Sequence, residues 1–144
     1  MRVRVLGVDL GNRRIGLALS DELGVIAGPH DTINRSGDPT TDHRAIVEAA
    51  SNAGAQRVVV GLPLSLSGEL GPAARMTLEE VEDLSTLAAL AHPPIEVETY
   101  DERFTTVTAQ AALAEAKVKR GERRKIVDKV AAAVMLQAYL DAHR

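Results

Sequence analysis

Residues 3–20, VRVLGVDLGNRRIGLALS, carry the pattern that decides the fold. Residues 2–10 read as a buried strand: Val3, Val5, Gly7 and Asp9 point to one face, and Leu6, Val8 and Leu10 to the other. Gly11-Asn12 supplies a turn, and Ile15 to Ser20 reads as a second strand, so the pair makes a hairpin. A strand apolar on both faces needs cover on both, which points to a sheet sandwiched between helices.

The rest of the chain supplies that cover. Val25 to Ile33 is a third extended stretch, and the polar run Asn34 to Thr41, with Gly37 and Pro39, is a loop. Asp42 is expected to cap a helix running to about Ala53, with Ile46, Val47 and Ala50 on its inner face and Gly54 ending it. Arg57 to Leu62, with Val58-Val59-Val60, reads as a strand covered on both faces. After the Ser/Gly-rich loop Ser65 to Gly71, Pro72 opens a helix to about Ala91. Ile95 to Tyr100 alternates as a further strand, and Thr105 starts a helix through about Ala116. A last helix is expected from Arg124 or Ile126 to Ala142. The order β-β-β-α-β-α-β-α plus a C-terminal helix predicts an α/β fold, a mixed five-stranded sheet flanked by helices, in one domain over residues 1–144.

Composition narrows the function. With 45% hydrophobic and 26% charged residues the chain is an ordinary folded protein. The absence of cysteine excludes disulfide scaffolds, zinc ribbons and thiol nucleophiles. No apolar run approaches the ~18–20 residues of a membrane span, and the N-terminus lacks a signal-peptide core, so a cytoplasmic protein is expected. Tyr100, Phe104 and Tyr139 are the only aromatics, too few for a base-stacking platform. The net charge of -3 argues against a polyanion partner, but its distribution does not. Residues 1–102 hold 8 Lys and Arg against 16 Asp and Glu, whereas residues 103–144 hold 9 against 4. Seven of the basic residues fall between Lys117 and Lys129. That segment either tracks a phosphate backbone or is a solvated loop leading into a helix.

Three acids stand at the ends of elements that otherwise need apolar residues. Asp9 ends the first strand inside Gly7-Val8-Asp9-Leu10-Gly11, Glu102 ends the fifth strand, and Asp128 lies at the start of the last helix, on the face of Ala131, Ala132, Met135 and Tyr139. Held together, three carboxylates repel unless a cation neutralises them, and oxygen donors suit Mg²⁺ or Mn²⁺. Such ions support in-line displacement at phosphorus. Arg14, Arg103 and the basic cluster, with Lys117, Lys119, Arg120, Arg123, Arg124 and Lys125, would then hold a phosphodiester. Backbone N–H groups around Ser65 and Gly68 are a further candidate phosphate cradle. Each acid also has an ordinary structural reading: a turn residue at Asp9, a surface partner of Arg103 at Glu102, a first-turn helix carboxylate at Asp128.

Taken together, these residues resemble the YqgF (RuvX) family of ribonuclease H-like nucleases. The matching blocks are Gly7-Val8-Asp9-Leu10-Gly11 with Arg14-Ile15-Gly16, and Val60-Gly61-Leu62-Pro63 with Gly68. Asp101-Glu102-Arg103-Phe104-Thr105-Thr106 and Asp128 with Ala131-Ala132 and Leu136-Gln137 follow, in order, over nearly the whole chain. The resemblance implies a ribonuclease H-like fold and a divalent-metal site on Asp9, Glu102 and Asp128. It also implies a bacterial cytoplasmic nuclease that matures the 5′ end of precursor 16S rRNA, in contact with RNA and a pre-ribosomal particle. Other ribonuclease H-like enzymes carry an acid after the fourth strand, where this chain has Gly61-Leu62-Pro63, and Glu102 is expected to compensate.

Other readings compete. A Holliday junction resolvase would cut four-way DNA and would need paired active sites, hence a homodimer rather than a monomer. A non-catalytic nucleic-acid or ribosome-binding module gains nothing from clustered acids. The Gly7–Gly11 motif also resembles the first phosphate loop of actin-like ATPases, which need a second domain that 144 residues do not provide.

Overall fold

The strand that is apolar on both sides, β1 (Val5–Leu10), takes the centre of the sheet. Around it lie β2 (Arg14–Ser20), β3 (Ala27–Asn34), β4 (Arg57–Leu62) and β5 (Glu96–Asp101), in the order β3-β2-β1-β4-β5. The computed structural model describes residues 2–65, 67–102 and 120–143, with side chains in the last block from Ile126 onward. β1 pairs antiparallel with β2 and parallel with β4, β2 antiparallel with β3, and β4 parallel with β5. This is the mixed five-stranded sheet that the β-β-β-α-β-α-β order predicts.

The two faces separate by residue parity. Leu6, Val8, Ile15, Leu17, Val58 and Val60 turn to α1 (Pro39–Asn52) and α2 (Pro72–Ala89), meeting Ile46, Ala50, Leu84 and Ala88. Val5, Ala18 and Val59 turn the other way, to α3 (Arg120–Ala142), meeting Ala132, Met135, Leu136, Tyr139 and Leu140. Fully burying a side chain such as Leu136 or Leu140 contributes roughly 1.5–3 kcal/mol, so α3 is held to the sheet by several such residues along one stripe. Gln137 adds a polar tie, accepting from Ala27 N at 2.9 Å and donating to Val25 O at 3.0 Å, which fixes the start of β3 under the helix.

Two boundaries differ from expectation. Asp38, not Asp42, caps α1: its carboxylate accepts from Thr40 N and Thr41 Oγ1, and Pro39 takes the first helical position, where no N–H is needed. Asp42 is instead buried in the first turn and accepts from Ser36 N at 3.0 Å. α3 is helical from Arg120, the first described residue of this block, so Asp128 lies inside the helix rather than at its start, and Arg120, Arg123, Arg124 and Lys125 are helical. The helix expected over Thr105–Ala116, and Arg103, Lys117 and Lys119, lie outside the described residues. Among the described residues, no helix is long and apolar enough to cross a membrane.

Candidate active site

β1 runs through the core and ends where its side chains meet solvent, and Asp9 lies there. By alternation Asp9 shares the face of Val5, the face that α3 covers. In the ladder Asp9 stands opposite Gly16 of β2. Gly16 is required there: a side-chain carbon at that position would overlap the Asp128 carbonyl oxygen, so α3 rests directly on the β2 backbone. The strand glycine, as much as the helix alanines, allows the close approach that brings Asp128 to the level of Asp9.

Glu102 arrives from the other side. It follows β5, and its N–H donates to Leu62 O at 3.2 Å, so the chain leaves the sheet beside the end of β4. Continuing the Val8–Val60 pairing by one residue sets Gly61 next to Asp9 on the same face. A side-chain carbon on Gly61 would overlap Glu102 Oε2. The Glu102 carboxylate therefore occupies the space that a β4 side chain would fill, and reaches across β4 towards Asp9. After the fourth strand, then, the residue that follows β5 places its carboxylate over a glycine of β4.

The electrostatics record this convergence. Burial, with the Asp128 charge second, pushes the Asp9 carboxyl up to about 6. Burial, followed by the charges of Asp9 and Asp101, pushes Glu102 up to about 7. Asp128 is matched by Arg14, whose Nε donates to Oδ2 at 2.6 Å. Among the described residues, no three acidic or histidine side chains already surround one point as a finished metal cage. The donor set nonetheless fits a hard divalent cation. All donors are carboxylate oxygens, and a cation reverses the repulsion and desolvation that raise Asp9 and Glu102.

Arg14, expected to face a phosphodiester, thus bonds to an acid of the site. The loop around Ser65 and Gly68 is turned inward: Gly68 N donates to Ser65 O, Ser65 N to Glu69 O and Glu69 N to Ser65 Oγ. Among the described residues of the loop, these three N–H groups are committed to the loop itself. Tyr100 packs under the sheet edge, its ring edge-on to Tyr139 at 5.6 Å. The sequence reading quoted Gly16 and Gly61 only as motif residues and missed their role as absent side chains, and it missed the buried His43, which bonds to Glu80 at 3.0 Å. The signal for His43 was its place three residues before Ile46 on the inner face of α1.

Known proteins match this chain along its full length. A profile of the RuvX family, described as Holliday junction resolvase, matches residues 3–142. A protein of Desulforudis audaxviator named "Putative pre-16S rRNA nuclease" is 40% identical over 99% of this chain and 96% of its own. One of the same name from Symbiobacterium thermophilum is 43% identical over 97% and 93%, and one from Clostridium botulinum is 41% identical over 97% and 98%. Among solved structures, RuvC of Thermus thermophilus in complex with a Holliday junction substrate superposes with a TM-score of 0.58 at 16% identity, covering 98% of this chain and 95% of that one. The yeast mitochondrial Holliday junction resolvase does so with a TM-score of 0.54 at 14% identity, covering 99% and 82%. The fold is thus ribonuclease H-like, and the chain belongs to the RuvX family.

Proposed function

We propose that this chain is a divalent-metal-dependent nuclease that hydrolyses phosphodiester bonds of structured RNA, with the 5′ region of precursor 16S rRNA as its substrate. The observation that carries this reading is the meeting of Asp9 and Glu102 on one face of the sheet, both raised by burial and by negative neighbours. Holding two such carboxylates together destabilises the protein unless a cation is bound, and the full-length relatives named for pre-16S rRNA supply the substrate class. Asp9, Glu102 and Asp128 would hold Mg²⁺ or Mn²⁺. A divalent ion held there would supply the Lewis acidity that activates water and stabilises a leaving oxygen.

The protein's own residues do the rest. Asp9 and Glu102 set the place at the sheet end where a cation would sit. Arg14 keeps Asp128 oriented through Nε, and its terminal N–H groups are suited to a phosphate oxygen. The basic residues Arg120, Arg123, Arg124 and Lys125 occupy the turns of α3 ahead of Asp128, and with Arg103, Lys117 and Lys119 they would follow the phosphate backbone. Few aromatics and a charged approach favour recognition by backbone and shape. The protein then works in the cytoplasm beside a pre-ribosomal particle.

The family description and the resolvase fold support a second reading, cleavage of four-way DNA by a homodimer. The test is a cleavage assay on precursor 16S rRNA, generic RNA and junction DNA, with Mg²⁺ or Mn²⁺, comparing wild type with Asp9→Asn. Precursor rRNA cut by wild type alone is the expected result. Junction DNA cut to the exclusion of RNA selects the second reading, and no cleavage of any substrate leaves a nucleic-acid-binding module.

A further inference from the structure

The turn between β1 and β2 has Asp9 on one shoulder and Arg14 on the other. Within it Gly11 N donates to Asp9 O at 3.0 Å. The turn is also held from outside, by Arg35 at the end of β3. The Arg35 N–H donates to Arg13 O at 2.9 Å, and its Nε donates to Gly11 O at 2.9 Å. Its two terminal nitrogens form a fork on Glu80 of α2, at 2.7 and 2.9 Å. Glu80 is fixed in turn by the buried His43 of α1 at 3.0 Å, and Asp42 lies 3.9 Å from the guanidinium. One side chain therefore joins the Asp9 turn to both helices on the far side of the sheet.

We propose that Arg35, set by Glu80 and His43, is a positioning residue for Asp9. The inference rests on the nuclease reading of Asp9. A fork of two parallel N–H bonds is both strong and directional, while ion pairs of this kind add little stability beyond what apolar packing would give. Directed donors spent on the backbone of the turn therefore serve its geometry. Arg35 and Glu80 also line a crevice of about 800 Å³ that extends to Glu102. A shift of the turn thus alters the relation between Asp9 and the acid it faces. Lysine at position 35 keeps the charge but cannot hold Glu80 and Gly11 O at once.

The experiment compares wild type, Arg35→Lys, Glu80→Gln and the control Arg57→Lys. Arg57 makes a similar contact to Glu96 at the opposite end of β4. Steady-state cleavage and amide exchange at Gly11 are measured at a temperature where every variant is folded. Arg35→Lys should lower kcat about 10–100-fold with KM little changed, the size expected for a misplaced catalytic group. It should also speed Gly11 exchange about tenfold while Leu6 and Val8 stay protected. Glu80→Gln, which leaves Arg35 able to reach Gly11 O, should fall between, and Arg57→Lys should lose stability alone. Unchanged kcat or unchanged Gly11 exchange in Arg35→Lys overturns the proposal. If wild type cuts no substrate, the nuclease reading fails instead, and the exchange rates alone then decide whether Arg35 holds the turn.

Discussion

Replacing Asp9 by asparagine removes one negative charge from the sheet face under α3 and barely changes the volume. In the folded protein the Asp9 carboxyl is raised from 3.8 to about 6 by burial first and by Asp128 second. The folded state thus holds this proton more tightly than the unfolded chain, so the stability the group contributes is fully present below 3.8 and is lost as pH rises to about 6. At ~1.4 kcal/mol for each tenfold change in proton affinity, the metal-free protein at neutral pH carries a penalty of about 3 kcal/mol. Relaxation of the partly exposed carboxylate towards water trims this to about 1–3 kcal/mol. At roughly 3 °C per kcal/mol for a chain of this size, metal-free Asp9→Asn should melt about 3–9 °C above wild type near pH 7.5. Near pH 4 the difference should nearly close, because wild-type Asp9 is then protonated in the folded state. Adding Mn²⁺ near pH 7.5 should raise the wild-type melting temperature and leave the variant behind. The measurement is thermal unfolding followed by circular dichroism, with and without EDTA. A variant less stable than wild type at neutral pH, or a difference that does not change with pH, would refute the electrostatic account of the site.

Gly61→Ala should keep its fold, since the neighbour in the way is the tip of the Glu102 side chain, yet displacing that carboxylate should cost at least ~10-fold in cleavage rate. Gly16→Ala meets helix backbone instead, so it should destabilise by about 3 kcal/mol or more in urea unfolding. Gly28→Ala, with open space around it, should be near neutral. The Arg35 fork and, to a lesser extent, His43 hold the Glu80 carboxyl below its usual range, so its stabilisation is present above 4.5 and is lost as pH falls through the lowered value. Glu80→Gln should therefore cost about 1–3 kcal/mol at neutral pH and flatten the acid limb of the stability profile.

Much of the architecture was legible because it follows from side-chain period. Alternation in residues 3–20 assigns each apolar residue of β1 to its face, and the structure keeps that assignment. The three-valine run of β4 marks a strand covered twice, and Pro72 marks the start of α2. Helix starts were less legible where two acids compete. Asp38 and Asp42 both suit a cap, and the preference of Pro39 for the first helical position decides between them. The start of α3 was placed late because its turns from Arg120 to Lys125 are charged, and a charged stretch carries no apolar stripe to announce a helix.

The site divides along the same line. The three candidate acids stood out in the sequence, because a carboxylate at the end of a buried strand, or facing alanines on a helix, departs from what packing alone asks for. What only the tertiary structure decided is how these acids meet. Gly16 lets α3 sit on β2, and Gly61 leaves the space over β4 that Glu102 fills. Arg14 turns to Asp128, and Arg35 ties the Asp9 turn to α1 and α2. These are contacts between residues as far as 114 positions apart. No local period encodes such a pairing, because it exists only once the sheet has ordered its strands and both faces have been covered.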